Sequence, residues 1–202
     1  MTKAQSNEEV PRRELRRDAA DNRERVLAAA AAAVRREGAA VPMATVAADA
    51  GVGVGTVYRH FPSREALLGA LTHRSFQLVL DAASQAAETD RPGIEAVRGF
   101  LDRTIEHGPE LVLPLHGGPL LIDQDTLAIQ AEVHRKLGSL LHRGRRDGTI
   151  RPDVRTADLV VFGALLAQRL PHITDWNQSA RRLVDIHLAG MAPMMQPKSP
   201  RS

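Results

Sequence analysis

The stretch "DAGVGVGTVYRHFPSREALL", residues 49–68, decides how this sequence folds. Its three alternate glycines, Gly51, Gly53 and Gly55, are typical of loops that hold phosphate groups through backbone amides. A dinucleotide-binding loop, however, needs a further glycine three residues after Gly53 and a buried strand before the loop. Thr56 stands at that position, and the preceding "MATVAADA" has the composition of a helix. A nucleotide site is therefore disfavoured.

The same stretch fits two short helices joined by a tight, glycine-containing turn, the helix-turn-helix arrangement. In the second helix, Val57 and Phe61 are four residues apart and are predicted to face the core. The outward side chains carry hydroxyl, guanidinium and ring groups that suit base edges and phosphates in a DNA groove. These outward residues are Thr56, Tyr58, Arg59 and His60. The alternative is a solvated amphipathic turn that binds nothing.

The composition narrows the class of protein. The chain has 202 residues, of which 43% are hydrophobic, enough for one or two globular units with a core. The net charge of +3, carried mostly by arginine, permits nucleic-acid binding but does not require it. No cysteine, metal-spaced histidines or G-x-S-x-G motif is present, so we expect no metal, no cofactor and no enzyme. No run reaches the ~18 apolar residues of a membrane span, which predicts a soluble cytoplasmic protein without a membrane partner.

Helical periodicity and breakers predict an all-α protein of about nine helices, because period-two runs of β-branched residues are missing. Capping signals set several boundaries: Gly38 and Gly51 end helices, and Ser63 begins one. The predicted helices are 18–38, 42–50, 54–61, 63 to the high eighties, 92–107, 110–115, 123–146, 155–170 and 175–190.

Residues 18–68 resemble the N-terminal DNA-binding domain of the tetracycline-repressor (TetR) family of bacterial transcription regulators. The first helix supplies "NRERVLAAA", and "VAADAGVGVGTVYRHFPSREALL" follows the family pattern A-G-V-x-x-G-T-x-Y-x-x-F. The chain departs from the family at Gly53, where many members carry serine, and at Val54, where many carry a polar residue. The DNA-binding residues we assign are Thr45, Val54, Gly55, Thr56, Tyr58, Arg59, His60 and Arg64.

The C-terminal part, with "RDGTIRPDVRTADLV" and "RRLVDIHLAGM", is similar to the helical effector and dimerisation region of the same family. The resemblance implies a homodimer, a palindromic operator in double-stranded DNA and a small-molecule effector. The implied divisions are a disordered basic arm (1–17), a helix-turn-helix DNA-binding domain (18–66), a helical ligand-binding and dimerisation domain (67–191) and a disordered tail (192–202).

Two sets of residues are candidates within the C-terminal body. The predicted ligand-binding residues are Phe76, Phe100, Thr104, His107, His116, Ile129, Val133 and Phe162. The predicted dimer-interface residues are Leu159, Phe162, Leu166, Leu183, Val184, Ile186, His187 and Met191. For both sets the alternative is that the side chains simply fill the core.

The sequence thus predicts a ligand-responsive transcriptional regulator, a repressor that releases its operator when a small molecule binds the C-terminal domain. The alternative is a helical enzyme or adaptor that uses the helix-turn-helix only for packing. The two differ in DNA binding, since only the regulator should bind duplex DNA with a steep dependence on salt.

Overall fold

The computed structural model describes residues 9–112, 122–170 and 173–193. Within these ranges the chain forms eight α-helices and one 3₁₀ turn, and no strand. The helices are α1 (Glu9–Glu37), α2 (Met43–Ala50), α3 (Val54–His60), α4 (Arg64–Ala87), α5 (Gly93–His107), α6 (Gln124–Arg146), α7 (Thr156–Ala167) and α8 (Trp176–Met191), with the 3₁₀ turn at Gly108–Glu110. The all-α prediction is confirmed.

Local capping chemistry sets the helix ends that the sequence indicated. The Ser63 hydroxyl accepts a hydrogen bond from the Ala66 amide at 3.1 Å and begins α4. The Asp123 carboxylate accepts from the Thr126 amide at 2.8 Å and begins α6. Gly51 ends α2 at φ +64°, a left-handed conformation that is unfavourable for residues with a Cβ. The turn between α2 and α3 therefore depends on this glycine.

Helix α1 begins earlier than the sequence analysis predicted. It begins at Glu9, so residues 9–17, which we expected to belong to a disordered arm, are helical. Pro11 lies in the first turn, where its missing N–H leaves no helical hydrogen bond unmade, and the arginines, glutamate and leucine that follow have high helix propensity. Residues 1–8 of the arm, most of the tail and residues 113–115 of the predicted helix 110–115 lie outside the described residues, whereas Glu110 ends the 3₁₀ turn and residues 111–112 are not helical.

Two large hydrophobic clusters organise the described residues. The first joins α1, α2, α3 and the first turns of α4, and it contains Val26, Leu27, Val57 and Leu67. The second joins the C-terminal half of α4 to α5, α6, α7 and α8 around Phe100. Helix α4 contributes to both clusters and is the element that connects α2 and α3 to the body.

The far end of α4 is fixed to α6 by one arginine. The Arg143 guanidinium donates hydrogen bonds to the carbonyl of Ala87 at 2.6 Å, to that of Thr89, and to that of Arg91 at 3.4 Å. These carbonyls end α4 and open the following turn, where helical partners are missing. Arg143 therefore supplies the C-terminal cap of α4 from a different helix.

The same corner holds a contact between two glycines. The backbone of Gly93, the first residue of α5, lies against the backbone of Gly144, so a Cβ at Gly93 would overlap the nitrogen and Cα of Gly144. The Asp147 carboxylate accepts from the Gly93 amide at 2.7 Å, and hydrogen bonds from the Thr149 hydroxyl and then from this amide lower the pKa of Asp147. The turn between α4 and α5 is thus tied to the end of α6.

Candidate nucleic-acid interface

Helix α3 is anchored on one side and open on the other. Val57 is fully buried and Phe61 nearly so, as the four-residue spacing predicted. Tyr58, Arg59 and Val54 are exposed on the opposite side. A seven-residue helix held by two apolar anchors can therefore present its outer face to a groove.

The remaining predicted DNA-binding residues are also accessible. Gly55 and Arg64 are exposed, whereas Thr45, Thr56 and His60 are half-buried. Arg64 is the first residue of α4, directly after the Ser63 cap. Next to it, the pKa of Glu65 is lowered by a hydrogen bond from its own backbone amide and by the Ser63 hydroxyl, which keeps a negative charge in the first turn. All eight assigned residues thus lie on α2, α3 or the start of α4, with none fully buried.

Arginines of α1 contact the ends of α2 and α3 and hold these helices in place. Sequence reasoning missed this role. Arg25 Nη2 donates to the Ala50 carbonyl at the end of α2 at 3.3 Å. Arg36 Nη2 lies 2.9 Å from Asp49 Oδ2, and hydrogen bonds to Asp49 and then Glu37 raise its pKa. The sequence signal for this role was no more than the arginine content of the helix that precedes the motif.

A third α1 arginine lies against the end of the reading helix. The Arg23 guanidinium carbon is 5.2 Å from the centre of the Phe61 ring, within the range of a cation–π contact. Phe61 is the residue at which α3 ends, so this contact helps to orient α3.

The predicted ligand-binding residues are dispersed through the body. Phe100 and Val133 are buried in its core, and the Thr104 hydroxyl donates to the Phe100 carbonyl at 2.9 Å. His107 Nδ1 lies 3.6 Å from Glu110 Oε1, and Phe162 stacks on His187. Phe76 and Ile129 are half-buried, and His116 lies outside the described residues.

Two clefts open elsewhere on the described surface. One, of about 560 Å³, lies between α1, the first half of α4 and the start of α6, where Arg23, His73 and Asp123 line it. The other, of about 580 Å³, lies between the loop before α7 and the end of α8, beside His187. None of the predicted ligand-binding residues that the structure describes lines either cleft.

The predicted dimer residues divide between the core and the surface. Leu159, Leu166, Val184 and Met191 are buried in the body of the same chain, so in this conformation they offer no area to a partner. Leu159 and Leu166 lie on α7, which is apolar on more than one side, and Val184 and Met191 lie on the buried side of α8, so the interface assignment stays a prediction. Phe162 and His187 are half-buried. The side chains that remain exposed form what we name the α7–α8 apolar face: Val161, Leu165, Leu183 and Ile186.

Helices long and apolar enough to cross a membrane are absent from the described part of the chain. Over the same residues, no three histidine or carboxylate side chains are placed to hold a metal ion together.

Comparisons with known proteins agree with this architecture. Residues 26–71 match the family model "Bacterial regulatory proteins, tetR family", and residues 94–193 match "Transcriptional regulator SbtR-like, C-terminal domain". The HTH-type transcriptional repressor KstR of Mycolicibacterium smegmatis is 28% identical over 158 residues, which are 76% of this chain and 78% of that protein.

Solved structures show the same relationship over almost their whole length. A TetR transcription regulatory protein from Mycobacterium vanbaalenii is 29% identical with a TM-score of 0.59, and the match covers 89% of this chain and 99% of that one. A TetR transcriptional regulator from Streptomyces coelicolor is 28% identical with a TM-score of 0.61, covering 85% and 99%. The anchored reading helix, the helical body and these matches place the chain in the TetR family of bacterial transcriptional regulators.

Proposed function

We propose that this protein is a ligand-responsive repressor, which binds a palindromic operator as a homodimer and releases it when a small molecule binds the C-terminal body. The observation that carries the proposal is the exposed face of α3, with Tyr58 and Arg59 held outward by buried Val57 and Phe61. The repressor role is supported by the KstR relative, which is named as a transcriptional repressor.

A binding-site selection tests the proposal directly. The full chain is incubated with a pool of random duplexes, bound duplexes are amplified, and the enriched sequence is then titrated by gel shift. We expect an enriched sequence with two inverted half-sites about one helical turn or more apart, because a two-fold dimer reads two symmetric sites. Enrichment of no sequence would contradict the proposal and would favour the packing role of the helix-turn-helix.

Arg59→Ala is expected to weaken binding to the enriched duplex by about 1–3 kcal/mol and to relax its sequence preference, since a guanidinium can read guanine with two hydrogen bonds. The measurement is a gel-shift titration against the enriched duplex and a scrambled one. Arg103→Ala, an exposed arginine on α5, is the matched control and should bind as the unmodified protein does. Equal affinities of both variants would remove Arg59 from the site.

Arg64→Ala is expected to act differently, because we assign its exposed side chain at the start of α4 to a DNA phosphate. A phosphate contact adds affinity to every sequence and releases counterions. The variant should weaken binding to enriched and scrambled duplexes alike and reduce the slope of log K against log salt by about one. Titrations over a range of salt concentrations measure this slope, and a change in sequence preference would argue for a base contact instead.

The homodimer is supported by the α7–α8 apolar face. Its four side chains are 43% to 61% exposed and come from two neighbouring helices. The stack of Phe162 on His187 shows that the two helices lie side by side, and large exposed apolar patches mark interaction sites on soluble proteins. We infer that two copies pack these faces against each other around a two-fold axis, which places one reading helix on each half-site.

The effector response is supported by the path of α4. This helix begins beside α3 and ends in the body, so a ligand that moves it changes the separation of the two reading helices. A ligand acts only through its different affinity for the two states, and DNA must weaken ligand binding by the same factor. A compound found by thermal shift should therefore bind more weakly by calorimetry once the enriched duplex is present. Equal affinity would show that the compound is no inducer.

A further inference from the structure

One histidine of the body lies flat against an aromatic ring next to the α7–α8 apolar face. The rings of His187 on α8 and Phe162 on α7 are 3.8 Å apart and tilted by 12°. His187 is half-buried, and its Nε2 atom is buried with no hydrogen-bond partner among the described residues. The neighbouring Ile186 is 61% exposed. The stack therefore joins a titratable ring to the edge of the apolar face.

The charged groups around this ring are mostly engaged with one another. In the cleft beside it, Arg151 Nε lies 2.9 Å from Asp153 Oδ1. Asp158 Oδ2 accepts the Arg155 amide at 2.8 Å at the start of α7. Both carboxylates of the cleft thus have other partners, and Asp158 also raises the pKa of His187, by less than burial lowers it.

Helix α5 packs on the other side of α8 and brings its own charges. Arg98 Nη1 lies 2.6 Å from Asp185 Oδ1, and Arg181 Nη2 lies 3.3 Å from Glu106 Oε1. Asp102 is partly buried between the two arginines, and burial raises its pKa. The α5 carboxylates thus lie among arginines, which offset their negative charge.

A neutral imidazole suits these surroundings better than a charged one. An imidazolium has two N–H donors and needs an acceptor or water for each, whereas the buried Nε2 has neither acceptor nor exposure here. Burial lowers the pKa of His187, and the opposing effect of Asp158 is smaller. The surroundings of the ring therefore favour its neutral form.

We propose that His187 makes the subunit contact sensitive to protons: the neutral ring is compatible with the dimer, and protonation of the ring separates the subunits. This inference rests on the dimer of the proposed function. A partner that covers Ile186 removes further water from the ring, so the dimer disfavours the charged form more than the free subunit does. The dimer then has its full stability above the pKa that His187 has in the free subunit, and it loses this stability as the pH falls below that pKa.

The experiment is sedimentation velocity of the full chain over a pH series. Between about pH 7.5 and one pH unit below the pKa of His187 in the free subunit, we expect the dimer dissociation constant to rise at least about tenfold, because each subunit takes up one proton on separation. The readout for His187→Gln is the ratio of its own dissociation constants at these two pH values, which should lie near one. His134→Gln, at an exposed histidine of α6, is the matched control and should keep the full ratio.

Each outcome decides between the two proposals. A dimer whose dissociation constant does not change with pH overturns the role of His187 and leaves the dimer standing. A monomer at every pH overturns both. A His187→Gln protein that keeps the full pH ratio also overturns the role of His187. Since that variant could fold poorly, proton NMR of the unmodified protein gives a second measure: the ring of His187 should titrate below about pH 6.5, and titration above it contradicts the inference.

Discussion

Ile186→Glu is expected to convert the dimer into a monomer at micromolar concentration. The Ile186 side chain is 61% exposed in the single chain, so the substitution leaves the core intact. In the proposed dimer the same position is covered by the partner, and a carboxylate would be buried there without a counter-charge. We expect the dissociation constant to rise at least about 100-fold, which corresponds to about 3 kcal/mol. Sedimentation velocity measures the change.

A matched control separates an interface effect from a general effect of surface charge. Leu127 on α6 is 48% exposed, and Leu127→Glu should leave the dimer unchanged. Because one dimer spans both half-sites, Ile186→Glu should also lose most of its affinity for the enriched duplex. A dimeric Ile186→Glu protein would show that the α7–α8 apolar face is not the subunit contact.

Gly93→Ala is expected to lower the free energy of unfolding by about 3 kcal/mol, among the largest effects of any single methyl group in this chain. The added Cβ would overlap the backbone of Gly144, which no side-chain rotation can relieve. The helices α5 and α6 must then separate, with loss of the hydrogen bond between the Gly93 amide and Asp147. Urea unfolding followed by circular dichroism measures the change.

Gly99→Ala is the control on the same helix. Gly99 lies within α5, and nothing in the structure lies within 4 Å of a Cβ added there. Alanine has the higher helix propensity, so this variant should gain about 0.5–1 kcal/mol. If both variants lost stability equally, the loss would belong to α5 in general and not to the contact with Gly144.

Much of the helical pattern could be predicted from the sequence because helix ends are local. Ser63 and Asp123 cap helices with their own side chains, and Gly51 adopts the left-handed conformation that ends α2. The start of α1 was missed because residues 9–17 lack an apolar period, which was the signal used. Propensity without amphipathicity was enough to continue the helix.

The exposed face of α3 followed from spacing alone, since two anchors four residues apart fix the orientation of a short helix. Whether that face binds DNA stays a prediction. The exposed side of α7 could not be found in the same way. Leu165 and Leu166 are neighbours in an apolar helix, yet Leu166 is buried and Leu165 is 60% exposed. Which of them faces solvent depends on the helices that pack against α7.

The clefts and the Arg143 cap at the end of α4 also arise from residues that are far apart in the sequence. Arg143 reaches carbonyls more than fifty positions away, and Arg23 and Asp123 meet across a cleft from opposite halves of the chain. Local sequence patterns do not show which distant residues come into contact in the fold. The apolar residues we predicted to bind ligand were chosen from the inner faces of predicted helices, and two of them, Phe100 and Val133, are core side chains.

Because Arg143 fixes the C-terminal end of α4, a tilt of this helix displaces its N-terminal end the most, as in a lever with one fixed end. The 24 residues of α4 span about 36 Å from the tied corner to Ser63. A tilt of about 5° about the tied end would carry Ser63 sideways by about 3 Å, close to the ~3.4 Å rise of one base pair. In a two-fold pair both levers swing, so the reading helices would change their separation by about 6 Å, enough to take them out of register with consecutive major grooves.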